Sequence, residues 1–378
     1  MSASASPRPV LVAENVSKSF GPVQVLFDID FELKAGEVHA LIGENGAGKS
    51  TLMKTLSGYE RPTGGSVLLD GEPVHFLSGS EAEDRGVVMI HQEFNLADQL
   101  SAEANIFLGR ELKRGPFLDS AAMRSRAAEL LGDLETRVDP TTRVMDLPVS
   151  DKQMVEIAKA LSRNARVIIM DEPTAVLTAN ESRTLFRQVE RLKREGVAIL
   201  YTSHKLEEVK QIADVVTVLR DGRHVITVPT ADVTVDDMAR HMVGRELEDL
   251  YPEKAPDPAS DVVLEVENFT VPGYAENVSF HLRRGEILGF AGLVGSGRTE
   301  LMEGLVGLRH SHGQVRLGGE SVHIRSPKEA ARRGIAYLTE DRKGRGLILN
   351  QEMRPNLTLF GLDRFCNIFI DRGREETA

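Results

Sequence analysis

Tryptophan is missing from this 378-residue chain, cysteine occurs once, and aromatic residues make up only 5%. The single Cys366 cannot form an internal disulfide, which excludes a disulfide-stapled scaffold and fits a reducing cytoplasm. It is expected to be a small apolar residue in a packed segment. Long apolar runs are missing too: the best stretch, Ile287 to Gly295, falls well short of the roughly 18 residues a bilayer span needs. Basic residues are outnumbered, 46 Lys plus Arg against 57 Asp plus Glu for a net charge of −11, so there is no general electrostatic footprint for nucleic acid. Residues 1–9 (MSASASPRP) are small and polar with no apolar core, and are expected to form a loose, disordered tail and not a secretory signal. What is present is ordinary globular usage, 41% hydrophobic and 27% charged, over a length that suggests two domains.

The two domains are copies of one another. KAGEVHALIGENGAGKSTLMKTLSG from Lys34 returns as RRGEILGFAGLVGSGRTELMEGLVG from Arg283, with Gly36, Gly43, Gly48 and Gly58 matched by Gly285, Gly292, Gly297 and Gly307 at an offset of 249. Gly71, Gly86 and Gln92 align with Gly319, Gly334 and Glu340, and VLVAEN at Val10 with VLEVEN at Val263. The organisation expected is a first domain over 10–250, a linker over 251–260 (YPEKAPDPAS, with three prolines) and the N-terminal part of a second domain over 261–378. Nothing in the second copy answers to the first copy beyond about residue 130, so the second domain is expected to be incomplete.

In the first copy, Glu37 to Ile42 (EVHALI) is an expected buried strand. It is followed by Gly43, Glu44, Asn45, Gly46, Ala47, Gly48, Lys49, Ser50 and Thr51 and then by a helical run to Gly58. Strand, glycine loop and helix form a phosphate cradle: backbone N–H groups face the phosphates and the helix N-terminus adds positive potential. Lys49 would reach the β and γ phosphates and Ser50 would ligate Mg²⁺. Arg166 to Pro173 (RVIIMDEP) is four apolar residues followed by two acids, where a buried strand would deliver Asp171 to the Mg²⁺ shell and Glu172 beside the γ-phosphate, a place for a carboxylate to polarise the attacking water. The alternative is a strand capped by solvated acids. Val197 to Thr202 (VAILYT) is another strand-like run, ending at Ser203 and His204, with His204 either a γ-phosphate contact or an ordinary surface histidine. Gln92 follows the strand Val87 to Ile90, and Phe20 either stacks on adenine or belongs to the core.

The ordered set of Phe20, GENGAGKST, Gln92, LPVSDKQMVEIAKAL from Leu147, IIMDEP and TSH resembles an ATP-binding cassette (ABC) ATPase domain. The duplicated chain resembles the fused twin-cassette ATPase subunits of bacterial importers for ribose, galactose, xylose and related sugars. HQEFNL at His91, NIFLGRE at Asn105, DEPTAVLT at Asp171 and TEDRKGRGL at Thr339 add to the likeness. The resemblance implies an α/β fold of two tandem P-loop ATPase domains, each a mixed sheet around the P-loop helix plus a helical subdomain, with the second cut short. It implies ATP and Mg²⁺ as cofactors, with Ser50, Gln92 and Asp171 around the metal. It also implies Glu172, His204 and Gln92 as the catalytic set and Ala175 to Thr178 as a loop that crosses between cassettes. Its partners would be transmembrane permease subunits and, through them, a periplasmic sugar-binding protein. The place would be the cytoplasmic face of the cell membrane, peripherally bound.

Two departures accompany the resemblance. The family signature Leu-Ser-Gly-Gly-Gln is replaced here by Leu147, Pro148, Val149, Ser150 and Asp151. Ser150 with Gln153 forms a capping-box pattern, and Met154, Ile157, Ala158 and Leu161 give the following helix a packing face. In the second copy the glycine loop has Gly292, Gly297, Arg298 and Thr299, so arginine stands where lysine belongs, and Glu340 replaces the loop glutamine. These imply one degenerate and one active site, the active one completed by a signature from the second cassette that the sequence does not include. The chain by itself is therefore expected to bind Mg-ATP, hydrolyse it poorly and expose apolar surface around Leu357 to Ile370. Other functions weighed are a nucleoside importer ATPase, a soluble twin-cassette ATPase acting on ribosomes or DNA, and an inactive ATP-binding fragment. No nucleic acid is expected, because no lysine-rich block or long heptad run is present.

Overall fold

The computed structural model describes residues 9–91, 94–163, 165–244, 261–293, 295–366 and 369–377. The chain divides into two compact units, Met1–Pro252 and Glu253–Ala378. The residues of the proposed linker, 251–260, and the first eight of the tail lie outside the described set. Pro9, the last residue assigned to the tail, opens the first strand; proline is tolerated there because a first strand position can forgo the ladder N–H.

The first unit begins with β1 (Pro9–Phe20) and β2 (Val23–Lys34), an antiparallel pair. In β2, buried Ile29, Phe31 and Leu33 alternate with exposed Asp30 and Glu32, the period of a strand with one wet face. β3 (Val38–Ile42) is buried throughout and leads into α1 (Lys49–Leu56). Next come β4 (Gly64–Leu69), β5 (Glu72–Val74), α2 (Gly79–Asp84) and β6 (Val87–Ile90). A helical layer follows: α3 (Ala102–Ile106), the small hairpin β7 (Lys113–Arg114) and β8 (Phe117–Leu118), α4 (Ser120–Asp133) and α5 (Val149–Leu161). The chain returns to sheet and helix through β9 (Val167–Asp171), α6 (Ala179–Arg194), β10 (Ala198–Thr202), α7 (Leu206–Ile212), β11 (Val215–Arg220), β12 (Arg223–Pro229) and α8 (Val235–Val243).

These strands form two principal sheets. One is antiparallel, in the order β2-β1-β4-β5; the other runs β12-β11-β3-β10-β9-β6, parallel except for the β11–β12 edge. The parallel strands β3, β6, β9 and β10 are buried on both faces, which explains their continuous apolar runs. One core cluster joins the helical layer to this sheet, with Met154, Ile157 and Ala158 of α5 packing near Val88, Ile168 and Met170, and Leu161 partly buried beside them. The expected packing face of α5 is therefore observed.

The expected Ser150 capping box is not. Pro148 occupies the N-cap of α5 and Val149 is its first helical residue, so Ser150 already lies inside the first turn. Pro148 sits at φ −56°, ψ 158°, and the fixed proline ring sets the extended-to-helical change two residues earlier than the serine would. Ser150 cannot then cap the helix it is part of.

The second unit holds β13 (Val262–Val271), β14 (Ala275–Arg283), α9 (Arg298–Leu305), β15 (His312–Leu317), β16 (Glu320–Val322) and α10 (Pro327–Arg332), with the sheet ordered β14-β13-β15-β16. It repeats the antiparallel sheet of the first unit down to an irregularity in its hairpin. Asn15 and Asp28 have φ 49° and 48°, and their N–H groups donate to Asp30 Oδ1 and Ser17 Oγ. Asn268 and Asn277 have φ 49° and 55°, and theirs donate to Ser279 Oγ and Thr270 Oγ1. A small core of Val266, Phe269, Val271, Leu301, Leu305 and Val315 lies between this sheet and α9.

The stretch corresponding to β3 differs. None of the described residues of 286–293 joins a strand, and Ile287 is 99% exposed. β3 is flanked by β10 and β11, whereas no described strand lies beside 286–293 to give its backbone a ladder. Further along, Leu357, Leu359, Phe360, Phe369 and Ile370 are exposed, as the sequence led one to expect.

Candidate functional site

In the first unit β3, β10, β9 and β6 are consecutive neighbours, and all four run parallel. Their C-terminal ends release the glycine loop, Ser203–His204, Asp171–Glu172 and the segment leading to residue 92. An open α/β sheet gathers its ligand-binding loops in this way at one edge.

The glycine loop turns from β3 into α1 with Gly46 at φ 84° and Gly48 at φ 95°. Gly48 is the N-cap of α1, and a Cβ there would fall 2.7 Å from Leu26 Cδ2. A side chain is thus excluded both by conformation and by space. Glu44, Asn45 and Gly46 are exposed, while Ala47 and Gly48 are buried and Lys49, Ser50 and Thr51 are half-buried. Lys49 Nζ donates to Gly43 O at 2.8 Å and to Glu44 O at 3.0 Å, which folds the ammonium back over the loop. Burial pushes its pKa below the ordinary lysine value, against the opposing pull of Glu172 and Asp171. The ammonium and the two carboxylates therefore feel one another, which brings the loop and the end of β9 into one site.

Asp171 is 5% exposed and accepts from Thr202 Oγ1 at 3.0 Å; the same hydroxyl accepts the Glu172 N–H at 3.0 Å. Glu172 sits at φ 50°, a left-handed conformation costing about 1–3 kcal/mol for a residue with a side chain. The kink turns the Glu172 side chain off the line of the strand. His204 Nδ1 lies 3.4 Å from Glu172 Oε2, with the histidine side chain 60% exposed and the glutamate 16%. A fixed carboxylate beside a solvent-facing imidazole is suited to holding a water and a transferred phosphoryl group.

Phe20 is 46% exposed, so the core alternative for this residue falls, and Lys18 Nζ lies over its ring 4.7 Å from the centroid. Gln92 lies outside the described residues. The far side of its loop is fastened to α5: Asn95 N donates to Glu156 Oε1 at 2.7 Å, and Lys159 Nζ donates to Asn95 O at 2.8 Å. The altered segment Leu147 to Asp151 forms the start of α5 with Val149 exposed. Ala175 and Val176 are exposed, and Thr178 forms a capping box with Glu181 at the start of α6.

A constellation not foreseen from the sequence lies behind these groups. The Glu208 carboxylate accepts Thr174 Oγ1 at 2.6 Å, Tyr201 OH at 3.0 Å and Ser203 Oγ at 3.1 Å, and takes Lys205 Nζ at 3.0 Å. Burial would raise its pKa, but the hydrogen bonds from Thr174, Lys205 and Tyr201 outweigh it and leave Glu208 below the ordinary glutamate value. The sequence offers no direct signal for it: Glu208 stands in the first turn of α7, and His204 lies before that helix begins.

In the second unit the glycine loop is rebuilt on its own, with Gly295 and Gly297 at φ 81° and 82° and Arg298 opening α9. Thr299 Oγ1 donates to Glu340 Oε1 at 3.5 Å, so the replaced glutamine position does face the loop hydroxyl. Gly292 precedes this turn, close to Ser296. The counterparts of Asp171, Glu172 and His204 at the repeat offset lie past residue 378.

The ABC transporter family model matches residues 26–175 and 275–367. The chain belongs to the ABC transporter family. Both matched segments of this ABC protein include a glycine loop, in agreement with the twin-cassette reading. An import ATP-binding protein of Burkholderia cenocepacia is 52% identical over 351 residues, covering 93% of this chain and 68% of its own. A ribose import ATP-binding protein of Rubrobacter xylanophilus is 49% identical over 370 residues, covering 97% and 74%. A galactose/methyl galactoside import ATP-binding protein of Fusobacterium nucleatum is 45% identical over 363 residues, covering 95% and 72%. Among solved structures, an ATP-binding cassette dimer bound to ADP and phosphate after hydrolysis aligns over 58% of this chain and 98% of its own, with a TM-score of 0.53 and 24% identity. That likeness supports the cassette fold, and the family supports nucleotide binding by the ABC chain.

Proposed function

We propose that the chain is the ATP-hydrolysing subunit of an importer for a ribose- or galactose-type sugar, acting through separate permease subunits on the cytoplasmic face of the membrane. The observation that carries this reading is the convergence of Lys49, Asp171, Glu172 and His204 at one sheet edge, in a chain 45–52% identical to sugar import ATP-binding proteins. No helix among the described residues is long and apolar enough to cross a membrane.

In this reading Gly43 to Thr51 wrap the phosphates and Phe20 offers its exposed ring to the base. The Lys49 ammonium exchanges its two loop carbonyls for β and γ oxygens. Glu172 accepts the proton of the attacking water, and His204 holds the γ-phosphoryl group. Mg²⁺ fits the donor set, because the Ser50 hydroxyl and the Asp171 carboxylate offer hard oxygens. A cation held by one carboxylate, one hydroxyl and substrate phosphates matches that sparse arrangement, with Gln92 as a further oxygen. When bound, the ion neutralises charge on the β and γ phosphates.

The test is E172Q in the protein reconstituted with its membrane subunits. Nucleotide affinity should stay within about threefold, while phosphate release should fall about 10²- to 10⁴-fold, the range of a positioned base. An E172Q protein retaining more than about a tenth of the rate would remove Glu172 from the base role.

A further inference from the structure

We propose that Glu208 is a positioning residue for hydrolysis: its carboxylate ties Thr174, two residues past Glu172, to Ser203 and Lys205, which flank His204, and so fixes Glu172 and His204 against each other. The inference rests on the reading of Glu172 and His204 as the hydrolytic pair.

The geometry is a three-way knot. Thr174 belongs to the loop after β9, Tyr201 and Ser203 to β10 and its exit, and Lys205 to the N-cap of α7, and all four direct a donor at one carboxylate. Thr174 Oγ1 and Tyr201 OH are themselves 3.4 Å apart. An ionised carboxylate is acceptor-only; Oε2 takes the three hydroxyls and Oε1 takes Lys205 Nζ, so one side chain serves the whole set. The Tyr201 hydroxyl is buried, which raises its pKa well above the ordinary value and keeps it a donor. Thr174, Ser203 and Tyr201 are each buried, so removing the acceptor takes the charged partner from three hydroxyls away from water, leaving the Thr174–Tyr201 contact and the Lys205 N–H on Ser203 Oγ.

The loops joined here are the two whose tips carry Glu172 and His204. Glu172 is already held in a left-handed conformation, which persists only where the surroundings enforce it. Thr202 secures the N-terminal side of that kink through the Glu172 N–H, and Glu208 secures its C-terminal side through Thr174. Loss of the knot should leave the glycine loop and α1 intact. A misplacement of about 1 Å in a reacting group costs on the order of 10²-fold.

The test uses the full chain labelled with ¹³C-histidine, the His204 ring resonance being assigned by its loss in H204A. In E172Q this resonance should move, because the two side chains are 3.4 Å apart. In E208L it should move comparably, and in E208Q, whose amide oxygen still accepts the hydroxyls, less than half as far. If E208L does not fold by circular dichroism, T174V combined with S203A makes the same test. An unmoved His204 resonance in a folded E208L or T174V/S203A chain overturns the proposal, as does an E208Q shift equal to that of E208L. In the protein reconstituted with its membrane subunits, E208L should lower kcat about 10- to 100-fold with KM for ATP within about threefold. A KM that rises in step with the loss of kcat overturns the positioning role. Failure of the wild-type chain to bind Mg-ATP would sink the functional reading instead, and the histidine resonance would still decide whether Glu208 braces the pair.

Discussion

The two glycine loops are nearly the same turn in very different surroundings. Each ends in a left-handed glycine N-cap, Gly48 at φ 95° and Gly297 at φ 82°, and each opens an eight-residue helix. The strand before the first, Val38–Ile42, is wholly buried between β10 and β11, whereas the matching stretch before the second joins no strand and leaves Ile287 99% exposed and Leu293 84% exposed. Turn and helix are local: glycine freedom and short-range hydrogen bonds determine them. A parallel strand is not local, because its N–H and C=O groups need partners delivered from far along the chain. The comparison separates what a motif encodes from what it borrows.

Amide hydrogen exchange should show this difference most strongly. Val38–Ile42 should exchange only on opening of the first unit, while Ile287–Leu293 should exchange at nearly the rate of a free peptide. The gap should be at least about 10³-fold, since unladdered backbone opens at close to zero free energy. Comparable protection in the two segments would mean that the second stretch finds a ladder after all. Stability gives a second, smaller contrast. I42A removes a side chain with no exposed surface and should cost about 2–5 kcal/mol in denaturant unfolding, whereas I287A should stay within about 0.5 kcal/mol. A large cost for I287A would show that this residue packs in solution.

Much of the first unit was legible because its signals are short-range or strongly patterned. The buried strands ending at Ile42, Asp171 and Thr202 stood out as apolar runs followed by chemistry-bearing residues; the first and third form within a residue of their expected bounds, and the second stops at Asp171, two residues before Pro173. The repeat also predicted where irregular backbone recurs, as at Asn15 and Asn268. Three features were not legible. The start of α5 was misassigned because a serine with a glutamine three residues on suggests a capping box, and Pro148 overrides that pattern. The left-handed Glu172 was hidden because nothing in a glutamate announces positive φ; only the Thr202 hydroxyl beneath it explains the kink. The Glu208 knot was invisible because its donors stand up to 34 residues from the carboxylate and meet it only once β9 and β10 are paired.

The smallest expected effect is also the one that ties the comparison to function. Lys49 and Arg298 open equivalent helices; Lys49 folds over its loop onto Gly43 O and Glu44 O, and the Glu172 and Asp171 charges favour its ammonium form against burial. Its ammonium is partly desolvated, which weakens its competition with water and strengthens any contact it makes with phosphate. Arginine is planar and larger, and does not reproduce a compact ammonium inside a tight turn. Charge-assisted hydrogen bonds contribute about 1.5–3 kcal/mol each, so K49A should weaken Mg-ATP binding to the chain about 10- to 100-fold. R298A should change it by less than about threefold, because a loop with no strand behind it holds its N–H groups less firmly toward phosphate. Titration with a fluorescent ATP analogue separates the two. Equal losses from K49A and R298A would mean that the local turn alone suffices to hold nucleotide, and the ordered sheet edge of the first unit would not be what distinguishes the two copies.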